Sequence, residues 1–279
     1  MSDFLLFIAS LLIGFMSKKY FRDNTLLQKA TYLTLLVTIF NSFYHLEFTK
    51  NSFILITLGI LLSIIPFIFS LINKTPDSLI FSTYGGGNRG LLLVSLLTTN
   101  KTSDFILVDL GIFITLLLIF PLGFNINHNI VKKNIKHAIN LLLILIISAT
   151  ISDKHSTHLF IDQIKEYNHH LLIIFSAIQL GSNLNLEKNY SKWFFKNFFI
   201  TRGLTLLIVT PIAFLLTGVD SIILILLVII LPISSIAISL ISNNVNNELK
   251  EKIAYSSVMS NILYLAILIF FKVSQVLQI

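Results

Sequence analysis

The sequence predicts an all-α polytopic membrane protein, about ten transmembrane helices in two inverted five-helix repeats with two broken crossing helices. Three observations predict it. The 279-residue chain has a mean hydropathy of +0.86, with 55% hydrophobic and only 12% charged residues, where soluble domains carry about 25% charge. Apolar runs of membrane length recur from end to end. Basic residues gather on alternate loops, as they do when a chain crosses a bilayer repeatedly.

The first run, Phe4–Ser17, leads into Lys18-Lys19 with no small-residue cleavage site, so it reads as a span and not as a cleaved signal peptide. Leu27–Leu46 and Phe53–Ile72 follow as full-length spans. The fourth, Leu79–Thr98, is interrupted by Tyr84-Gly85-Gly86-Gly87-Asn88-Arg89-Gly90. Lipid cannot satisfy backbone freed by a glycine run, and a mid-bilayer arginine is expensive, so this segment must line a protected or watery cavity. Phe105–Phe124, Ala138–Ile151, His170–Leu184 and Phe198–Gly218 come next. The ninth span, Ser221–Ile241, carries Pro232, which removes a donor and predicts a break near Leu231. Ile253–Phe271 is the tenth. The first, sixth and seventh are short and need flanking polar residues to complete a crossing.

The net charge of +7 is an orientation signal and not a nucleic-acid footprint. The odd-numbered loops and their edges hold most of the lysines and arginines, among them Lys18, Lys19, Arg22, Lys132, Lys133, Lys136 and Lys250, with Arg202 just inside the eighth span from the same side. The positive-inside rule then puts both termini outside the cytoplasm. Compact length and minimal loops suggest a bacterial inner membrane. With no cysteine, there is no disulfide framework and no thiol chemistry.

The chain repeats a pattern. Pro66-Phe67-Ile68-Phe69 leads to Asp77-Ser78, and Pro211-Ile212-Ala213-Phe214 leads to Asp220-Ser221; Val94-Ser95-Leu96-Leu97-Thr98 matches Ile238-Ser239-Leu240-Ile241-Ser242 at a similar offset. The expected halves are residues 1–128 and 129–279, of opposite orientation because each holds an odd number of spans. Asp77 and Asp220 sit where they would cap the helices that follow.

Gly14-Phe15-Met16-Ser17-Lys18-Lys19 at the end of the first span, Gly87-Asn88-Arg89-Gly90 in the fourth, Leu180-Gly181-Ser182-Asn183-Leu184 in the seventh and Leu231-Pro232 in the ninth carry a family resemblance. Together they resemble the auxin efflux carrier family of membrane transport proteins, within the wider group of bile acid/sodium symporters. The resemblance covers most of the chain. It implies ten helices in two inverted repeats, a panel domain, and a core domain where two broken helices cross. The chain departs from the family in carrying Arg89 where a small or hydroxyl residue is more usual, and in lacking a proline around Asn41-Ser42.

Arg89 is the leading candidate for substrate contact: a guanidinium at the positive end of a half-helix is a receptor for carboxylate or phosphate. The alternatives are an ion pair with Asp109 on the fifth span, or a gating role. Asn88, Gly87, Ser234 and Ser235 would face one another at a crossing and hold a substrate headgroup or satisfy each other's backbone; Tyr84 would wall the site or simply pack. Gly85, Gly86 and Pro232 make the breaks. Asp109, Gln179, Asn183 and Asn261 are candidates for ion coupling, with helix–helix hydrogen bonding as the alternative. His155, His158, Asp162, His169 and His170 lie in or beside the outer loop between the sixth and seventh spans and read as a solvated loop, with a zinc site as the alternative, since their spacing fits no metal-ligand pattern.

The expected function is secondary transport of a small organic anion, a carboxylate, by alternating access, with Na+ or H+ as the candidate coupling ion and no cofactor. A sodium-coupled symporter of another anion class, or a channel or sensor derived from the same fold, is the alternative. Catalysis is not expected: no nucleophile–base pair, phosphate loop or nucleotide fingerprint is present. The expected partners are the anion, the bilayer and, as an open option, a second copy of the chain.

Overall fold

Long apolar stretches satisfy their own backbone by coiling into helices. In the computed structural model the described residues are 2–21, 25–44, 49–72, 76–97, 102–118, 158–182, 190–234 and 247–277, and every element among them is helical. In chain order they are α1 (Ser2–Met16), α2 (Lys18–Phe21), α3 (Thr25–Tyr44), α4 (Lys50–Ile72), a 3-10 helix (Pro76–Ser82), α5 (Gly87–Leu97) and α6 (Thr102–Leu118). The second part of the chain supplies α7 (His158–Ser182), α8 (Ser191–Thr217), α9 (Val219–Ile229) and α10 (Asn247–Leu277). Within these, Lys50–Ile72, Ser191–Thr217 and Asn247–Phe271 are long and apolar enough to cross a membrane. The expected sixth span, Ala138–Ile151, and the boundary between the expected halves lie outside the described residues.

Three readings from the sequence change. His158, Asp162 and His169 belong to helix α7, which carries on into the expected span at His170; His155 lies outside the described residues. The His169 Nε2 atom is 3.2 Å from Asp3 Oδ2 and that of His170 is 3.7 Å from Asp3 Oδ1, so the pair ties α7 to the start of α1. Gly218, not Asp220, holds the N-cap position of α9. With φ at 75°, Gly218 uses left-handed backbone that other residues adopt only with strain, and this lets α8 turn directly into α9. Asp77 is the second residue of the 3-10 helix and does not precede it.

The helices sort into two packed groups. In one, α1 and α3 pack on α7. Gly14 lies against the Ile178 backbone and Gly181 against that of Leu11, so the α1 and α7 backbones touch where small residues allow it. Asn168 of α7 donates to the Thr34 carbonyl at 3.0 Å and to Thr38 Oγ1 at 2.8 Å on α3. In the other group α4 packs on α6 and α8, and α5, α9, α10 and the 3-10 helix complete it. Here Gly59 meets the Val108 carbonyl while Gly111 meets the Ile56 carbonyl, a reciprocal contact between α4 and α6. Contacts of α5 with α7 and α3, and of α6 with α3, join the groups.

Candidate functional site

Two interruptions of helix meet within the second group. The first is Thr83–Gly86, between the 3-10 helix and α5. Ser82 Oγ donates to the Leu79 carbonyl at 2.6 Å and Thr83 Oγ1 to that of Ile80 at 2.7 Å, so hydroxyls close off the 3-10 helix before the glycines. The second follows α9. Leu231 N–H still reaches the Val228 carbonyl at 3.0 Å, but Pro232 has no N–H to continue the helix.

These two unwound segments satisfy each other. Gly85 N–H donates to the Pro232 carbonyl at 2.6 Å, and Ser234 N–H reaches Thr83 Oγ1 at 3.4 Å. A Cβ on Gly85 would stand 3.0 Å from the Pro232 oxygen and 3.2 Å from that of Ile233, a tight fit that glycine avoids. Ser260 of α10 adds a third support, its Oγ accepting from Ile233 N–H at 3.1 Å. Backbone therefore meets backbone where the two breaks cross, at Gly85 and Pro232.

Arg202 of α8 sits at the same junction. Its Nη2 donates to the Thr83 carbonyl at 2.8 Å and its Nη1 to the Ile229 carbonyl at 3.1 Å. The first acceptor follows the end of the 3-10 helix, and the second is the last residue of α9; both are carbonyls that a helix end leaves without an internal partner. The guanidinium lies 3.8 Å from the centre of the Tyr84 ring and 5.2 Å from that of Phe198. Arg202 is only 2% exposed. Sequence reasoning counted it as an orientation charge. The signal that could have singled it out was its place in the apolar run Phe198–Gly218, since a charge inside a span marks function by default.

Tyr84 is buried. Its hydroxyl donates to the Leu62 carbonyl at 3.2 Å. That carbonyl would bond to the N–H four residues on, but the residue there is Pro66, inside α4. The tyrosine thus fills the acceptor that the proline leaves open. Ser63, Ser82, Thr83 and Thr115, with Phe67 and Leu116, line a cavity of about 10 Å³ beside this point, room for roughly one water.

Arg89 is the third residue of α5. Its carbonyl accepts from Tyr264 Oη of α10 at 2.8 Å, while its Nη1 is buried with no hydrogen-bond partner among the described residues. The Asp109 carboxylate of α6 occupies the space that a Cβ on Gly86 would take. It therefore stands beside the residue that precedes Gly87, the first residue of α5. Asn88 is the second residue of α5. On α10, Asn261 is 1% exposed and its Oδ1 has no partner among the described residues. It lies on the sequence between Ser260 and Tyr264, which both reach the crossing.

Ser234 is buried at the crossing and takes part through its backbone. Gln179 lies on α7, in the other helix group, where its carbonyl accepts from Ser182 Oγ at 3.0 Å. Ser235 and Asn183 lie outside the described residues. The structure brings together Tyr84, Gly85, Gly86, Arg89, Asp109, Pro232, Ser234 and the α10 polar residues, and adds Arg202 and Thr83. No protein-family model matches the chain, and no curated protein matches it.

Proposed function

We propose that this chain is a secondary carrier that moves a small organic anion, a carboxylate, across a membrane by alternating access. The observation that carries the reading is the Arg89 guanidinium at the start of α5, with Nη1 buried and without a hydrogen-bond partner among the described residues, beside two unwound segments that hydrogen-bond to each other. Broken helices near a midplane are where secondary carriers place their sites. A buried cation with an unused donor is costly unless an anion completes it. The first N–H groups of α5 supply further donors at the positive end of the helix dipole.

Asp109 fits this reading as the coupling group. Its carboxylate stands at the same helix end, so an arriving anion meets a resident negative charge. Taking up a proton on Asp109 removes that conflict, which couples anion entry to proton entry. The two helix groups support alternating access: α1, α3 and α7 form a panel, and the group that contains the crossing rocks against it.

In this reading the chain has about ten spans in two inverted halves, 1–128 and 129–279, in the manner of the auxin efflux carrier family. The membrane is a bacterial inner membrane with both termini outside the cytoplasm. Purified protein in proteoliposomes tests the function. Uptake of a labelled carboxylate above protein-free vesicles, driven by an inward proton gradient and lost in Arg89→Ala, is the expected result. Flux absent for every carboxylate tried, with correctly folded protein, would remove the carrier reading.

A further inference from the structure

We infer that Arg202 is a built-in replacement for a coupling cation: its guanidinium fills the point where two helix ends would otherwise hold a sodium ion. Two features of the geometry point there. In broken-helix carriers, unwound carbonyls and half-helix C-terminal ends are the ligands of Na+. Here the carbonyls of Thr83 and Ile229, at the ends of the 3-10 helix and of α9, converge on one group, and that group is covalently part of α8. The partial negative charge of both helix ends is answered by a fixed positive charge.

The surroundings match a permanent occupant better than an exchanging one. Arg202 is 2% exposed, and the Tyr84 ring covers a guanidinium face at 3.8 Å. Removal of Arg202 strips the Thr83 and Ile229 carbonyls of their donors and leaves two acceptors facing one space, which suits a small cation. The inference deepens the carrier reading and assigns the consequence: the crossing is held together without sodium, and sodium does not drive the cycle.

The test reads thermal unfolding of purified protein in equal concentrations of sodium, lithium and choline chloride, with no anionic substrate added. Wild type is expected to unfold at one temperature in all three. Arg202→Ala is expected to unfold at a lower temperature and to recover saturably with sodium or with dilute guanidinium ion, not with choline, as a ligand restores a site by mass action. Arg202→Lys, which keeps the charge, is expected to ignore both cations. Specific stabilisation of wild type or of Arg202→Lys by sodium would overturn the inference, as would a folded Arg202→Ala indifferent to every cation. If Arg202→Ala cannot be purified, the wild-type and lysine arms still decide. Because the readout needs no flux, a failed carrier assay leaves this result standing, and the converse also holds.

Discussion

Arg202 and Tyr84 lie face to face, the guanidinium 3.8 Å from the centre of the ring, and each continues into a backbone carbonyl that its own helix leaves unpaired. The tyrosine hydroxyl serves Leu62, whose partner is lost to Pro66, and the arginine serves Thr83 and Ile229. One stack therefore joins α4, the first break, α8 and the end of α9.

Tyr84 separates the two contributions. Tyr84→Phe keeps the ring over Arg202 and strands the Leu62 carbonyl, at a cost of about 1–3 kcal/mol. Tyr84→Leu also removes the cation–π contact, worth about 2 kcal/mol when desolvated. Unfolding of purified protein should therefore rank wild type above Tyr84→Phe above Tyr84→Leu. Equal losses in the two variants would mean that the ring contributes nothing to holding Arg202.

Gly85 and Gly203 should respond in opposite directions to the same added methyl. At Gly85 the new Cβ crowds the Pro232 and Ile233 carbonyls and forces apart the segments joined by the 2.6 Å hydrogen bond. The expected loss is about 1–3 kcal/mol. Around Gly203, inside α8, nothing lies within 4 Å of an added Cβ. Alanine there should gain up to about 1 kcal/mol from helix propensity. Thermal melts of the two variants side by side check the contrast.

Gly86 and Asp109 should be energetically coupled, because the carboxylate occupies the place of the missing Cβ. Gly86→Ala is expected to be destabilising alone and less so in an Asp109→Ala background. A double-mutant cycle should return an interaction energy of about 0.5–3 kcal/mol. Additive losses would place the carboxylate elsewhere in solution.

Much of the fold was legible because an apolar run of sufficient length has few alternatives to a helix. The breaks were legible too, since Gly85–Gly87 and Pro232 are poor helix formers whatever surrounds them. Helix ends were less so. The α7 helix starts at His158 and not at His170, and α10 starts at Asn247 ahead of Ile253. Hydropathy marks where a helix lies in lipid, whereas these ends are polar and held by local contacts. Lys252 and Glu248, four apart on α10, pair at 2.7 Å, and Tyr190 Oη reaches Glu251 at 2.9 Å. Arg202 was missed for a related reason. Its acceptors, the Thr83 and Ile229 carbonyls, come from two places distant in sequence, and only the crossing brings them to one guanidinium.

The reciprocal glycines of α4 and α6 make a further prediction. Gly59→Val and Gly111→Val should each push the two backbones apart, since each Cβ would strike a carbonyl of the facing helix. Overpacking of this kind costs about 1–3 kcal/mol. Both variants should melt lower than wild type, while valine at the exposed Leu207 of α8 should not.

The most direct test of the central claim is a thermal-stability screen of purified protein against carboxylates and other anions, with Arg89→Ala in parallel. Binding to the folded state raises apparent stability by mass action. The account predicts a concentration-dependent upward shift with a carboxylate in wild type, absent in Arg89→Ala. Identical responses of the two proteins to every anion would contradict it and make Arg89 a structural residue.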